Sequence, residues 1–342
     1  MMPDRTRNKK IISLFIFLLL LLSTWALIIY LSGENPLYGF QYILEGSLSN
    51  KYYVLSTLNK MVPLMLTALA VAIPSWAGIW NIGGEGQLLF GAFGAAFIGI
   101  SFNFGNSLIN IVFALGFSAI MGLIWAAWPA FLKVRLKINE VVTTLMGNYI
   151  ALYIISYFIN YPFRDPSSTL AQTKYIDNSF KIPYLLSGAQ FSSTFFISLG
   201  LVIIFYFFRN KTLTGYKLNM VGSNEEFASL CGISIAKCKM IAMMFGGASA
   251  GIGGGLLVLG INHRFMQNFS PGFGFTGLLI CLLAFNRPLV IIFIAFLFSI
   301  LQTGSVNLEL FTSIPAEISG VLQATMVLFV AAFRSLTSLR RD

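Results

Sequence analysis

Four glutamates lie within or at the ends of long apolar segments of this 342-residue chain: Glu85, Glu140, Glu309 and Glu317. Because a charge at the centre of a bilayer costs at least about 2.5 to 3.5 kcal/mol, such residues usually mark pathways or structural junctions. Glu309 and Glu317 fall near the predicted outer ends of their segments. Glu140 follows a basic cluster and opens its segment, where the helix dipole favours an acid. Glu85 is therefore the first candidate for a functional role.

Glu85 stands between two glycines in the first of two glycine-broken stretches, residues 78–87. Because glycine has no side chain, another backbone segment or a ligand can approach closely there. Two interpretations stay open: Glu85 either supports the broken backbone at a helix N-terminus or contacts a ligand directly. The second broken stretch is residues 270–277, in which Phe273 and Phe275 lie beside glycines. These rings could stack on a flat ligand, although aromatic residues in apolar helices are usually packing.

Six residues in and near these stretches are the candidate pathway: Asn81, Glu85, Gln87, Asn148, Phe273 and Phe275. Asn148 lies two turns into a later apolar segment and is predicted to face the bundle interior. A buried amide there either joins helices by hydrogen bonds or lines a pathway, and the first role is the commoner one.

The elements that position these residues are helices that cross a membrane. The chain is 57% hydrophobic and 10% charged, which is more apolar surface than a soluble core of this size can hide. The apolar runs are continuous rather than alternating, which predicts an all-α integral membrane fold. With roughly 20 residues needed for each crossing, ten spans are predicted, at residues 11–31, 58–79, 84–101, 107–132, 138–160, 191–208, 240–261, 273–286, 288–306 and 317–334.

Basic residues set the predicted orientation. The net charge is +10, and sixteen of the 22 Lys and Arg residues fall on segments predicted to be cytoplasmic. The other six are Lys51, Lys60, Arg164, Lys174, Lys181 and Arg264. Because Lys and Arg are enriched in cytoplasmic loops, the N- and C-termini are both predicted to be cytoplasmic. The first span is too long for a signal peptide and lacks a small-residue cleavage site, so it is expected to be retained.

The whole chain, residues 1–342, is predicted to form a single transmembrane domain with two half-repeats. The halves are residues 58–160 and 240–334, and each contains four predicted spans with one glycine-broken stretch. They enter the membrane from opposite sides, which is the pattern of an inverted repeat. Corresponding interruptions in two such halves are typical of a substrate path near the midplane of a transporter. Sequence identity between the halves is weak, so the repeat rests on topology.

A polar segment, residues 209–239, interrupts the spans on the predicted cytoplasmic side. Ser223 is predicted as the N-cap of a short helix, with Glu226 completing a capping box, and a glycine ends the helix. Phe227 and Leu230 then share one face. A two-turn helix is not stable alone in water. It is therefore expected to rest on a partner protein or, as the alternative, on the lipid surface.

Catalysis finds little support in the sequence. It contains no phosphate-binding loop of the form G-x-x-x-x-G-K-[ST], no G-x-S-x-G elbow and no H-E-x-x-H motif. The single histidine, His263, is expected to be an interfacial group, and no metal site is expected. Three cysteines, Cys231, Cys238 and Cys281, fall on predicted cytoplasmic or membrane segments, where disulfides are not expected.

Three motifs in order carry a family resemblance. They are NIGGEGQ at residues 81–87, GYKLNMVGSNEEFA at 215–228 followed by Gly232-Ile233, and GFTGLLICLLA at 274–284 before Asn286-Arg-Pro288. Together they resemble the permeases of ATP-binding cassette (ABC) importers for ribose, branched-chain amino acids and nucleosides. The nucleoside branch, whose binding proteins are purine/basic membrane lipoproteins, is the most similar. The resemblance extends from about residue 35 to residue 334.

The resemblance implies a non-catalytic permease subunit of the inner (cytoplasmic) cell membrane. Its expected partners are a cytoplasmic ATPase, which would bind ATP and Mg, a second permease chain in a homo- or heterodimer, and an extracytoplasmic substrate-binding lipoprotein. No cofactor is expected on this chain. The expected ATPase contacts are Ser223, Asn224, Glu226, Phe227, Ala228, Leu230, Gly232 and Ile233. The expected docking residues for the binding protein are Arg164, Lys174, Lys181 and Arg264.

Other functions stay open at the level of sequence. The substrate could be ribose, another sugar or a branched-chain amino acid rather than a nucleoside. An ion-coupled secondary transporter would need ionisable groups deep in several spans, and only Glu85 is well placed for that. A structural or assembly protein of the membrane would not need a capped cytoplasmic helix.

Overall fold

The computed structural model describes residues 19–186 and 191–338, with side chains up to residue 329. Within these limits the chain is built mainly from helices, and every predicted span overlaps one of them. A helix satisfies its backbone N–H and C=O groups within its own segment, which is why long apolar runs adopt it in lipid. The first part of the first predicted span, residues 11–18, lies outside the described residues.

The helices are numbered along the chain. They are α1 (Leu19–Leu31), α2 (Pro36–Leu48), α3 (Lys51–Ser75), α4 (Gly84–Ser101), α5 (Ser107–Leu136), α6 (Glu140–Asn160), α7 (Thr194–Lys211), α8 (Leu213–Ser223), α9 (Glu225–Leu230), α10 (Ile235–Leu257), α11 (Phe273–Leu283), α12 (Pro288–Phe311) and α13 (Ile318–Ser338). A π-helical turn, Val258–Asn262, extends α10. Between α6 and α7 lie a 3-10 turn (Asn178–Phe180) and an antiparallel pair of short strands, β1 (Tyr184–Leu186) and β2 (Phe191–Ser192).

Six helices of the described chain are long and apolar enough to cross a membrane: α3, α5, α6, α7, α10 and α12. Shorter apolar helices are α1, α11 and the stretch Ile318–Phe329 of α13. The fold is therefore that of an all-α membrane protein.

Helix α2 is absent from the sequence prediction. Asn35 caps it, because its Oδ1 accepts a hydrogen bond from the backbone N–H of Leu37, and Pro36 occupies the first helical position. Both are ordinary signals for a helix start. The 13 residues of α2 extend for only about 20 Å, too short for a bilayer of about 30 Å. A search for full-length spans therefore overlooks this helix.

The chain divides into two compact units, Met1–Thr57 with Leu297–Asp342, and Leu58–Phe296. In the first unit, apolar side chains of α1, α2, α12 and α13 form one core, which includes Ile29, Ile43 and Leu322. Asn307 in α12 donates from Nδ2 to the carbonyl oxygen of Tyr42 in α2 at 3.0 Å. This bond satisfies a buried amide within the unit.

In the second unit, α10 packs closely against α4 and α5. Glycines make this approach possible: a Cβ added at Gly247 would collide with Gly122 of α5, and one added at Gly251 would collide with Ser118. A Cβ at Gly254 would collide with the backbone of α4 at Leu88. Glycines spaced by three or four residues thus form a packing seam between helices, as such stripes do in membrane proteins.

Candidate functional site

The break between α3 and α4 is organised by two buried amides, Asn81 and Gln87. Asn81 donates from Nδ2 to Oε1 of Gln87 at 2.9 Å, and Gln87 donates from Nε2 back to Oδ1 of Asn81 at 3.0 Å. Asn81 also donates to the carbonyl oxygen of Ala70 and accepts from the N–H of Gly83. An interrupted backbone inside a bundle needs such partners because no water is there to supply them.

Asn148 of α6 supports the same break. Its Oδ1 accepts from the backbone N–H of Gly86 at 2.9 Å, and its Nδ2 donates to the carbonyl oxygen of Ile82 at 2.9 Å. The residue is buried, as predicted. One side chain therefore satisfies a donor in the first turn of α4 and an acceptor in the broken stretch just before it, which is a structural role.

Glu85 joins the two glycine-broken stretches. Its Oε2 accepts a hydrogen bond of 2.6 Å from the backbone N–H of Gly274, in the first turn of α11. Glu85 itself lies in the first turn of α4, so the carboxylate is placed where two helix N-termini meet. Each N-terminus carries a partial positive charge and unpaired N–H groups, and an anion satisfies both. We call this contact the Glu85–Gly274 junction.

Gly274 is required for this approach. A Cβ at this position would collide with the backbone nitrogen and Cα of Glu85. Next to it, the carbonyl oxygen of Phe273 accepts from Oγ1 of Thr67 in α3 at 3.0 Å. Phe275 projects from α11 and is 39% exposed. The structure therefore brings Glu85 and the segment of Phe273 and Phe275 together, as the candidate pathway requires.

A small cavity of about 110 Å³ adjoins the junction, because Glu85 forms part of its lining. Its polar lining consists of Glu85, Ser156, Gln267, Asn268 and Ser270, and its apolar lining comes from α4, α6 and the residues before α11. Pockets that enclose drug-sized ligands usually measure roughly 300 to 1,000 Å³. The cavity is too small to enclose such a ligand as it stands.

Glu140 is the first residue of α6, as predicted. Asn139 caps the helix by accepting from the N–H of Val141, and Lys133 of α5 forms an ion pair with Oε2 of Glu140 at 2.6 Å. Of the other two acidic candidates, Glu309 lies near the end of α12 and Glu317 directly precedes α13. Neither lies at the Glu85–Gly274 junction.

The short helix of the polar segment exists, but its predicted cap is wrong. Ser223 is the last residue of α8, and its hydroxyl donates to the carbonyl oxygen of Asn219 at 2.8 Å. Asn224 is the N-cap of α9: its backbone is extended, and its Oδ1 accepts from the N–H of Phe227 at 2.9 Å. The capping box of Ser223 and Glu226 does not form because α8 continues through Ser223 and occupies its hydroxyl.

Helix α9 exposes an apolar face. Phe227 is 55% exposed and Leu230 is 88% exposed, whereas Ala228 between them is buried. Gly232, with φ of 76°, ends the helix, and the N–H of Ile233 donates to the carbonyl oxygen of Ala228 at 3.0 Å. A six-residue helix with two large exposed apolar side chains indicates a surface for a partner.

An ion pair ties α9 to the helix that follows it. Nζ of Lys239 in α10 lies 2.7 Å from Oε1 of Glu225, the first residue of α9. The orientation of the exposed apolar face is thereby linked to α10.

The long segment between α6 and α7 is ordered against the end of α10. The N–H of Thr173 donates to the carbonyl oxygen of Phe265, that of Ile176 to His263, and that of Ile182 to Leu259, each at 2.9 to 3.0 Å. The described part of this segment is therefore an ordered structure and not a structureless connector.

The four predicted docking cations lie on or beside this segment. Arg264 and Lys181 both face the ring of Tyr175, with distances of 4.5 and 6.0 Å from the charged group to the ring centre.

Hydrogen bonds from the hydroxyl and N–H of Ser167 lower the pKa of Asp165, and the charges of Lys174 and Arg264 lower it further. The guanidinium of Arg164 donates to the carbonyl oxygen of Thr169 at 3.4 Å.

One cluster was not identified from the sequence. Arg209, Trp76, Asn219 and Asn286 come from four different places in the chain and contact one another beside α8. In the sequence, Arg209 counted only as one charge at the end of a span, and nothing in its local pattern indicates partners 77 or more residues away.

The fold and the junction define a class of protein: a helical membrane protein whose two broken helices meet end to end. Residues 53–331 match the family described as branched-chain amino acid transport system, permease component. The chain belongs to this family.

Curated relatives match over most of the chain. It is 32% identical over 321 residues to the guanosine ABC transporter permease protein NupP of Bacillus subtilis, and the aligned region covers 93% of this chain and 92% of the relative. It is 33% identical over 322 residues to the nucleoside ABC transporter permease protein NupB of Lactococcus lactis, covering 90% and 86%. It is 28% identical over 307 residues to the glucose ABC transporter permease protein TsgB13 of Haloferax volcanii, covering 86% and 80%. No solved structure gives a significant match.

These matches confirm the resemblance drawn from the three motifs. The chain is a permease subunit of an ABC transporter and a multi-pass protein of the inner (cytoplasmic) cell membrane.

Proposed function

We propose that this chain is the transmembrane permease of an ATP-driven importer for nucleosides. Two relatives that match most of the chain are named for guanosine and for nucleosides, which supports this substrate class. A relative named for glucose favours a sugar as the second candidate. The description of the family itself keeps branched-chain amino acids as a further alternative.

The observation that carries the importer proposal is the exposed apolar face of α9. Exposure of Phe227 and Leu230 to water is unfavourable until another surface covers them, and α9 is too short to be stable through its own hydrogen bonds. We assign this face to a separate cytoplasmic ATPase chain. ATP and Mg would bind on that chain, since this sequence has no phosphate-binding loop.

The proposed topology has ten crossings with both termini in the cytoplasm. It is supported by a helix at each predicted span and by the distribution of Lys and Arg. The inverted repeat is supported by the junction, because the broken helices α4 and α11 of the two halves meet at their N-termini. We treat residues 1–342 as one permease domain, since α3 and α12 each contribute residues to both compact units.

The proposed pathway passes the Glu85–Gly274 junction. Asn81 and Gln87 bond to each other, and Asn148 bonds to the backbone of Gly86. We therefore assign to these three residues the support of the path and not direct contact with the substrate. Phe275, which is partly exposed, is the best placed for direct contact. The cavity measures only about 110 Å³, which is too small for a nucleoside. Passage therefore requires movement of the helices, or a larger cavity formed jointly with a second permease chain.

The proposed cycle is alternating access. ATP binding brings two copies of the ATPase together, and this moves α9. The movement tilts the two half-repeats, so that the junction opens to one side of the membrane and then to the other. An extracytoplasmic lipoprotein delivers the nucleoside, and Arg164, Lys174, Lys181 and Arg264 meet its acidic residues. Rim charges of this kind steer association more than they add affinity.

Uptake by the reconstituted complex tests the substrate class. The permease pair, the ATPase and the binding lipoprotein are placed in liposomes, and uptake of labelled guanosine is compared with uptake of labelled ribose and glucose. We expect guanosine to accumulate when ATP is present and the two sugars not to accumulate. If a sugar accumulates and guanosine does not, the nucleoside assignment is wrong and the sugar takes its place. The assignment as an ATP-driven importer would still hold.

A further inference from the structure

Arg209, in the last turn of α7, contacts three neighbours at once. Its Nη1 donates to the carbonyl oxygen of Asn286 at 2.8 Å, and its Nε donates to Oδ1 of Asn219 at 3.2 Å. Its guanidinium carbon lies 5.0 Å from the ring centre of Trp76. The side chain is half-buried, whereas Lys211 is exposed. A guanidinium suits this place because it donates in a fixed plane while stacking on an aromatic ring.

The carbonyl oxygen of Asn286 is the shared acceptor of this cluster. Nε1 of Trp76 also donates to it, at 2.9 Å. Phe285 and Asn286 form the turn between α11 and α12 with φ of 52° and 57°, a region that few residues other than glycine adopt. Such a conformation persists only where neighbouring groups hold it. Arg209 and Trp76 contribute to that hold just after the C-terminal end of α11.

Helix α8 lies against the same cluster. Asn219 contacts Arg209, and it also donates from Nδ2 to the carbonyl oxygen of Gly215 at 3.0 Å. A Cβ at Gly222 would collide with the carbonyl oxygen of Trp76, so α8 packs directly on the turn that leads into α4. Because a single residue separates α8 from α9, a force applied to α9 acts on this cluster.

Helix α11 connects the cluster to the pathway. Arg209 bonds to the turn that directly follows the C-terminus of α11, and the N-terminal turn of α11 donates to Glu85 through the N–H of Gly274. The 11 residues of α11 extend for about 16 Å and form one rigid element between the two contacts.

We propose that Arg209 is a positioning residue that transmits movement of α8 and α9 to α11, and through α11 to the Glu85–Gly274 junction. This inference rests on the proposed function, since the movement comes from the ATPase. In this role Arg209 contacts neither the substrate nor the ATPase. Replacing Arg209 therefore uncouples ATP hydrolysis from transport while the complex stays assembled.

The test uses the full complex in liposomes and measures two rates, ATP hydrolysis and guanosine uptake, together with the amount of ATPase that co-purifies. In Arg209→Gln we expect uptake per ATP hydrolysed to fall about tenfold, within the usual range of coupling between sites. Co-purification and basal hydrolysis stay at the wild-type level. Lys211→Gln, which removes an exposed charge from the same helix end, serves as the matched control and keeps the wild-type ratio.

Trp76→Phe is the second variant, because it keeps an aromatic ring beside Arg209 and removes the indole donor to Asn286. It is expected to lower uptake per ATP less than Arg209→Gln does. The double variant is expected to lower the ratio more than either single variant does, because it removes both side-chain donors to the carbonyl oxygen of Asn286. A wild-type ratio in Arg209→Gln overturns the inference. Loss of ATPase co-purification in both single variants also overturns it, since Arg209 would then serve assembly alone. If the wild-type complex neither binds an ATPase nor imports guanosine, the proposed function fails instead.

Discussion

At the scale of single residues, the Glu85 carboxylate resolves a problem that two broken helices create together. The N-terminus of each helix presents unpaired N–H groups, and bringing two such ends together places like partial charges side by side. A carboxylate 2.6 Å from the N–H of Gly274 offsets both. The geometry therefore favours support of the broken backbone over substrate contact as the main role of Glu85.

The junction predicts a steric requirement at Gly274. In Gly274→Ala the new methyl group would meet the backbone of Glu85, which cannot yield as a flexible side chain does. Overpacking of this kind costs about 1 to 3 kcal/mol. The expected result is a lower unfolding temperature of the purified permease in detergent and loss of uptake.

Gly116→Ala is the matched control for that variant. Apart from the nearby backbone of α5 itself, no atom of the described residues lies within 4 Å of a Cβ added at Gly116, in the first half of α5. Replacing glycine by alanine in an open helical position is neutral or stabilising. Equal unfolding temperatures for Gly274→Ala and the wild type would show that α4 and α11 separate easily at the junction.

A second residue-scale prediction concerns pH and His263. Burial lowers the pKa of His263 below its ordinary value, and the charge of Lys181 lowers it further. Its Nε2 lies within hydrogen-bond distance, 2.8 Å, of the hydroxyl of Tyr184, and burial raises the pKa of that hydroxyl, so Tyr184 stays neutral beside the ring. The unfolded chain binds a proton on this histidine at higher pH than the folded protein does. Stability from this residue is therefore present above about pH 6.5 and declines as the pH falls below it.

Thermal unfolding of the purified protein between about pH 7.5 and pH 5 measures this effect. The unfolding temperature of the wild type is expected to fall over this range. His263→Asn, chosen because asparagine tolerates the φ of 55° at this position, is expected to show a smaller fall. Asp165 and Asp177 have lowered pKa values through bonds to Ser167 and Ser179, so their contribution is lost only at more acidic pH. The same dependence in both proteins would rule out His263 as the source.

At the scale of elements, apolar runs located the helices but not their ends. The position of α9 was predictable because a polar segment with helix-start residues interrupts apolar spans. Its cap was not, since whether Ser223 belongs to α8 or caps α9 depends on where α8 stops. The Asn35-Pro36 pair could have indicated α2, which was overlooked because it is too short to span a bilayer. A search for helix caps as well as spans would have found it.

Long-range pairing is the part of the site that the sequence could not supply. Asn148 was predicted to be buried, but its partners Ile82 and Gly86 are more than sixty residues away along the chain. The contact of Glu85 with Gly274 crosses 189 residues. Each glycine-broken stretch was recognisable alone, whereas the fact that they meet depends on packing of the whole unit.

The exposed face of α9 leads to the prediction for this element. The double variant Phe227→Ala and Leu230→Asp removes apolar area and places a charge on it, which a complementary partner surface would not accept. Both side chains are exposed, so the fold of the permease should be unaffected. We expect normal membrane insertion, loss of ATPase co-purification and loss of uptake.

Phe227→Leu with Leu230→Met is the control, because it keeps the face apolar and nearly unchanged in volume. It is expected to retain both ATPase binding and uptake. Full uptake by the alanine and aspartate variant would mean that α9 does not seat in the ATPase.

At the scale of the whole molecule, the charges inside the chain decide between two sources of energy. An ion-coupled transporter needs ionisable groups that can exchange protons or ions along the path. Of the carboxylates whose side chains the structure describes, Glu85 and Glu140 are buried. Glu140 is paired with Lys133, and Glu85 accepts from Gly274. Both are engaged in structure, which favours energy delivered mechanically through α9.

Uptake under an uncoupler measures that difference directly. In liposomes that contain the complete complex and a constant supply of ATP, a protonophore collapses the proton gradient without consuming that ATP. Because the helices are moved through α9, we expect guanosine uptake to continue unchanged, and to stop when ATP is replaced by ADP. Uptake that stops with the protonophore while ATP is still present would reject the ATP-driven mechanism. It would point instead to a protonation step, with Glu85 as the first residue to examine.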